Sequence, residues 1–144
     1  MEGRTLFWCL LGVIVSLLLV GVVSGTPLRH VVQVLPASLV ASAAWRGLNW
    51  SRAGALPIFL IWLFLMILIW LYLLGIAKVI SGTFSATEVA LTIAIGISSV
   101  VGTVAIFRAR QTATWATRLL AFLVVAAFQV GALWISFQPA IARR

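Results

Sequence analysis

Acidic side chains are almost missing from this sequence, because Glu2 and Glu88 are the only two and aspartate does not occur. No carboxylate pair is available for general acid–base catalysis, and a Ser–His–Asp triad is excluded. Histidine and cysteine occur once each, as His30 and Cys9. The chain therefore has no internal disulfide and no cluster of Cys and His for zinc or a di-iron centre. These absences predict a protein that is not an enzyme.

Charge of either sign is scarce. Only 8% of the 144 residues are charged and 64% are hydrophobic, whereas about a quarter of an average soluble protein is charged. The ten basic residues give a net charge of +8 and lie at the ends of apolar runs. In that position they favour contact with anionic lipid head groups, so nucleic acid is not an expected partner.

The sequence contains long runs of apolar residues. Residues 53–77 contain no charge and no amide, and from Pro57 to Ala77 a helix would be roughly 30 Å long, about one hydrocarbon core. Four such runs predict membrane spans at about 5–25, 56–78, 86–107 and 118–138. The expected fold is an all-α integral membrane bundle of four transmembrane helices in one domain, residues 1–144.

The connection between the first two spans, residues 26–55, is long and largely apolar. Pro36 is expected to interrupt it, and Ser38, Ser42 and Arg46 then recur at every fourth position, which is typical of a weakly amphipathic helix. The pattern predicts a short interfacial or re-entrant helix at about 31–46.

The second and third spans differ in side-chain size. From Ile58 to Leu74 every residue of the second span is bulky, whereas Ala90, Ala94, Ser98 and Gly102 recur at every fourth position of the third. Small residues at this spacing let another helix approach closely. The second span is therefore expected to offer ridges to the third span, or to face lipid or a partner.

Two polar side chains within or beside the spans are candidates for transport or partner binding. Glu88 follows Ser85 by three residues, which completes an S/T-x-x-E capping box, and helix capping is favoured over an ion site. Gln129 is the only amide well inside a span, and a hydrogen bond between two helices is favoured over a functional site. Ser98, on the small-residue stripe, joins them as a candidate.

The remaining candidates are aromatic or basic. Trp62, Met66 and Trp70 form one stripe on the second span, which could contact a pigment, a quinone or a partner helix, although packing on a neighbouring helix is favoured. Arg29, His30, Arg46 and Arg52 are candidates for lipid head groups. Ligation of a metal or cofactor by His30 is disfavoured because the chain has no second histidine, and the sequence identifies no cofactor.

Three functions are compatible with these features. The leading hypothesis is a non-enzymatic subunit or accessory/assembly factor of a larger membrane complex, with other subunits or further copies of itself as partners. The alternative is a small oligomeric transporter or channel, whose route Glu88, Gln129 and the Ser/Thr stripe would line. The third is a protein that binds lipid, quinone or pigment through Trp62 and Trp70.

The expected location is the bacterial inner (plasma) membrane. With four spans, the basic residues divide between the two sides, four on one and six on the other. The smaller group is Arg4, Lys78, Arg143 and Arg144. The larger group is Arg29, Arg46, Arg52, Arg108, Arg110 and Arg118. The positive-inside rule then predicts cytoplasmic loops at 26–55 and 108–118, with both termini outside.

Overall fold

The computed structural model describes residues 2–78, 82–110 and 112–141. These residues form five α-helices and no strand. The helices are α1 (Glu2–Val23), α2 (Pro27–Trp45), α3 (Ser51–Leu73), α4 (Ala86–Arg108) and α5 (Trp115–Ser136). Within this part of the chain four helices, α1, α3, α4 and α5, are long and apolar enough to cross a membrane. The prediction of an all-helical bundle that contains four helices of membrane-spanning length and apolarity is confirmed.

The helices pack side by side around α3. α1 and α2 form an antiparallel pair, since Gly3 approaches the carbonyl of Ala44 at one end and Gly21 meets His30 at the other. α4 packs on α1 and α3, and α5 packs on α3 and α2. In the described ranges no Cα of α4 lies within 8 Å of a Cα of α5, so each of these two helices lies closer to α3 than to the other.

Glycines follow the ends of three helices, α1, α2 and α3, in the same conformation. Gly25, Gly47 and Gly75 have φ of 69°, 69° and 72°, a left-handed conformation that glycine adopts without strain. After Gly75, the amide of Ile76 donates to the carbonyl of Leu71 at 2.9 Å, which closes a Schellman motif. α3 therefore ends at Leu73, before the predicted boundary at 78, and the glycine explains the difference.

α2 differs most from expectation. It is one helix of 19 residues that continues through Pro36, so the predicted interruption is wrong. Its outward face is apolar from Leu28 to Leu39, with four side chains between 45% and 54% exposed: Leu28, Val31, Leu35 and Leu39. Its polar residues His30 and Gln33 point into the bundle instead, because α1 and α5 lie against that side.

The predicted fit between α3 and α4 is confirmed. A Cβ added to Gly96 would lie 2.3 Å from the Trp70 ring, and one added to Gly102 would lie 2.3 Å from the Phe59 ring. These distances leave no room for a larger residue. The bulky side chains of α3 therefore occupy the positions where α4 has only hydrogen as a side chain.

The basic residues gather at one end of the bundle. Arg52 donates to the carbonyl of Arg110, and Thr112 donates to Asn49 at 3.3 Å, which joins the two loops at this end. Of the described basic residues, six lie here and define what we call the arginine end: Arg4, Arg46, Arg52, Arg108, Arg110 and Arg118. Arg29 and Lys78 lie at the opposite end, and Arg143 and Arg144 fall outside the described residues.

Candidate functional site: a buried polar contact between α2 and α5

Three polar side chains meet inside the bundle where α2 and α5 cross. The side-chain amide of Gln33 donates to the hydroxyl of Ser136 at 2.9 Å. The amide of Gln129 donates to the backbone carbonyl of Gln33 at 3.2 Å. Gln129 and Ser136 are fully buried, and Gln33 is 3% exposed. Sequence reasoning selected Gln129 as a helix–helix tie, and the structure supplies its partner.

The contact lies in the turn of α2 that precedes Pro36. A proline inside a helix has no amide hydrogen, so the carbonyl four residues earlier, that of Val32, loses its partner within the helix. Gln129 reaches the next carbonyl along the chain, that of Gln33. The hydrogen bond from Gln129 therefore ties α5 to this turn, but it does not replace the bond that Pro36 removes.

Gln129 also retains one unsatisfied atom. Its side-chain oxygen is buried and has no hydrogen-bond partner among the described residues. An unpaired buried carbonyl costs about 1–3 kcal/mol. The contact therefore holds two helices together but leaves an acceptor oxygen in the interior.

His30 lies one turn from this contact and is buried at 8% exposure. Its Nδ1 is 3.0 Å from the backbone carbonyl of Thr26, and its ring packs on Gly21 of α1. His30 was a candidate for a lipid head group, but it points into the bundle because Gly21 leaves space for the imidazole. Its role in the structure is to join α1 and α2.

Arg29, the residue before His30, is half-buried at the rim of the bundle. Its guanidinium carbon lies 4.2 Å from the centre of the Phe137 ring, which is a cation–π contact between α2 and the end of α5. Its Nε is buried without a partner in the described part of the chain. Arg29 stays compatible with a head-group contact through its remaining nitrogens.

Arg46 and Arg52 lie at the other end of the bundle from Arg29 and His30. Arg46 is exposed and is the C-cap residue of α2. Arg52 lies in the first turn of α3 and donates to the carbonyl of Arg110. The four head-group candidates therefore form two separate pairs rather than one site.

Glu88 caps α4, as predicted. Its carboxylate accepts from the Ser85 amide at 2.7 Å, and the Ser85 hydroxyl accepts from the Glu88 amide at 3.2 Å. Ser98 lies between α4 and α1, where a Cβ on Gly12 would approach its hydroxyl to 2.7 Å. Glu88 and Ser98 are on α4 and Gln129 is on α5, and in the described ranges no Cα of one helix lies within 8 Å of a Cα of the other. The three transport candidates are therefore not brought together within one chain.

The two tryptophan candidates lie against the chain's own helices. Trp62 is 4% exposed, and its indole N–H is buried without an acceptor among the described residues. Trp70 covers Gly96, and its indole N–H donates to the Thr92 hydroxyl at 3.1 Å. The favoured packing interpretation agrees with these positions.

Sequence reasoning missed two participants, Gln33 and Ser136. Gln33 was overlooked because its segment was assigned to an interfacial helix, and Ser136 because serine at a span end has no distinctive pattern. A signal was available, since both residues fall on the helix faces that carry His30 and Gln129. Among the described residues, no group of three or more His, Cys, Asp or Glu could hold a metal ion.

Comparison with known proteins identifies no relative. No family model matches the chain, and no curated protein or solved structure is significantly similar to it.

Proposed function

We propose that this protein is a non-enzymatic subunit or accessory factor of a larger membrane complex, which it joins through the outer face of α5. That face is defined here by Ala127 and Gly131, which are four residues apart, together with the exposed side chains beside them: Leu120, Leu123, Val124 and Trp134. The partner would be another membrane subunit or a second copy of this chain.

The observation that carries the proposal concerns Gly131. A Cβ added to any other glycine within the described helices would meet an atom of a neighbouring side chain or backbone within 3.3 Å, but a Cβ on Gly131 would meet nothing within 4 Å. Small residues in membrane helices serve close approach of another helix. The other helical glycines allow close packing inside the chain. Gly131 offers the same space for a close helix, but no described part of this chain fills it.

The geometry of α5 supports the same face. α5 packs on α2 and α3 only, through Val125, Gln129, Ala132 and Ser136. At 100° per residue, Ala127 and Gly131 lie on the opposite side of the helix from Gln129. A partner helix could therefore pack there without disturbing the bundle.

The oligomeric transporter is the second hypothesis. It would need its route to form between copies, because Glu88, Ser98 and Gln129 lie on separate surfaces. It predicts that Glu88→Gln and Gln129→Leu abolish a measurable flux. The pigment or quinone hypothesis would need Trp62 to leave the interior, so we place it third.

The test is the size of the complex that contains the protein. A tagged chain expressed at its native level, extracted in mild detergent and run on a native gel should migrate well above a 15.6 kDa monomer. Gly131→Leu should return it to the monomer position. Ala90→Leu, which places the same side chain at an exposed alanine of α4, should not. A wild-type monomer, or an intact complex in Gly131→Leu, would refute the proposal, and copurification of a second, differently tagged copy would show self-association.

We also propose that α2 crosses the membrane as a fifth helix. An interfacial helix needs a polar outer face, whereas the exposed stripe of α2 is apolar from Leu28 to Leu39. Its 19 residues extend about 28 Å, close to the hydrocarbon thickness. Its low hydropathy arises from residues such as Gln33 that point inward, where α5 provides partners.

Five crossings alter the predicted orientation. The termini would lie on opposite sides, and the arginine end, with six of the described basic residues, would face the cytoplasm of a bacterial inner membrane. The loop at 108–118 keeps its predicted side and the C-terminus stays outside. The N-terminus moves to the cytoplasm, and Arg29 separates from Arg46.

Single cysteines can test this topology, because Cys9 is the only native one. In a Cys9→Ala background, Pro27→Cys and Asn49→Cys should react with a membrane-impermeant thiol reagent from opposite sides. Thr112→Cys should behave as Asn49→Cys does. Labelling of positions 27 and 49 from the same side would support the interfacial helix instead.

A further inference from the structure

A groove opens at the arginine end between α4 and α5. It exists because α4 and α5 flank α3 with no Cα of one within 8 Å of a Cα of the other in the described ranges, so that α3 forms the floor of the groove. Its volume is about 340 Å³. Ala53 and Leu56 of α3 line the floor, and the walls come from both flanking helices: Ile106, Phe107, Trp115, Arg118, Leu119 and Phe122.

Arg118 is the one charged residue among those that line the groove. It lies in the first turn of α5, and its Nε is buried without a hydrogen-bond partner in the described part of the chain. The remaining lining residues are apolar or aromatic, and tryptophan such as Trp115 favours the level of the lipid head groups. The guanidinium of Arg118 thus lies at the level of the lipid head groups, beside an otherwise apolar groove.

The floor continues toward the membrane centre. Leu60, Phe64 and Ile67 of α3 are exposed, between 43% and 60%, and follow Leu56 at helical spacing. An elongated apolar molecule that entered at Arg118 could therefore lie along α3 between the two flanking helices.

We propose that this groove binds one anionic phospholipid, with its phosphate on Arg118 and an acyl chain along the floor of α3. Charge complementarity supports this occupant, because the arginine end carries six basic residues and the chain has only two acids. Arginine binds phosphate through planar, charge-assisted hydrogen bonds, which gives the buried Nε an acceptor. The groove lies on the α4-facing side of α5, whereas Ala127 and Gly131 face away from the bundle, so this proposal is independent of the proposed function.

The test is lipid retention by the intact protein. The chain is placed in nanodiscs that contain equal amounts of phosphatidylglycerol and phosphatidylcholine, released into mild detergent, and weighed by native mass spectrometry. One phosphatidylglycerol should stay bound in preference to phosphatidylcholine. Arg118→Gln should reduce that preference about fivefold, the change expected from about 1 kcal/mol per basic residue at a membrane surface. Arg118→Lys should retain most of it.

Controls make the result specific. Arg4→Gln removes an exposed arginine at the same end that does not line the groove, and it should leave lipid retention unchanged. Leu56→Trp should fill the floor and expel the lipid, and an unchanged thermal unfolding profile will show that the bundle is intact. Soluble glycerophosphoglycerol, which has no acyl chain, should not displace the lipid. Equal retention of both lipids, an effect of Arg4→Gln equal to that of Arg118→Gln, or a polypeptide bound in place of lipid would overturn the proposal.

Discussion

The side-chain amide of Gln129 lies 3.2 Å from the backbone carbonyl of Gln33, within the turn that precedes Pro36. Together with the hydrogen bond from Gln33 to Ser136, it joins α5 to α2 beside the turn in which proline interrupts the helix's own hydrogen bonds. It also explains how a segment with modest hydropathy becomes part of the bundle interior. Its polar residues have partners there, so they do not need water.

Gln129→Leu should have a small effect on stability. The substitution removes a hydrogen bond worth on the order of 0.6 kcal/mol in a membrane, but it also removes a buried oxygen that has no partner among the described residues. We expect a loss of no more than about 1 kcal/mol. Reversible unfolding in mixed micelles measures this, with Val130→Leu on the exposed side of α5 as control. A loss above about 3 kcal/mol would mean that Gln129 does more than tie two helices.

Gly96→Ala and Gly131→Ala should have opposite effects on the detergent-solubilised monomer. A methyl group at Gly96 would collide with the Trp70 ring, and overpacking of this kind costs about 1–3 kcal/mol. At Gly131 the space is open, and alanine is the better helix former by up to about 1 kcal/mol. Thermal unfolding of the two variants provides the comparison. A stable Gly96→Ala protein would contradict the close packing of α3 on α4.

Removal of a hydroxyl group from α4 should lower the stability of the bundle only where that hydroxyl has a hydrogen-bond partner. Thr92→Val should destabilise the bundle by roughly 1 kcal/mol, because the Trp70 indole loses its acceptor. Ser99→Ala should be neutral or stabilising, since the Ser99 hydroxyl is fully buried with no partner in the described ranges. Both variants can be measured by the same unfolding assay. A reversed order would contradict the pairing of the Trp70 indole with the Thr92 hydroxyl.

Substitutions at Glu88 distinguish capping from transport. Glu88→Gln keeps the capping box, which accepts either residue, so helix stability should be nearly unchanged. Glu88→Ala removes the carboxylate at the third helical position but leaves the Ser85 cap, and it should cost about 0.3–1 kcal/mol. Hydrogen exchange of the first turn of α4 reports the difference. If Glu88→Gln left this turn intact but abolished a flux of ions or solutes, the transporter hypothesis would replace the one proposed here.

The sequence alone predicted those features that depend on the residues within one segment. The apolar runs predicted four spans because residues that cannot face water must face lipid or one another. The S-x-x-E spacing predicted the cap at Ser85 and Glu88, since a capping box forms within one turn. The contrast between bulky α3 and small-residue α4 predicted their fit, because only glycine leaves room for Trp70.

Tertiary structure decided the rest. Whether His30 and Gln33 face outward or inward depends on the helix that lies beside them, and no pattern within residues 26–55 specifies α5 as the neighbour of α2. The same reason applies to the uncovered Gly131 and to the groove at Arg118. Both arise because α5 packs on only two helices and leaves α4 untouched in the described ranges. Hydrophobic pattern determines which segments enter the membrane, whereas the packing partners of each helix determine which residues stay available for binding.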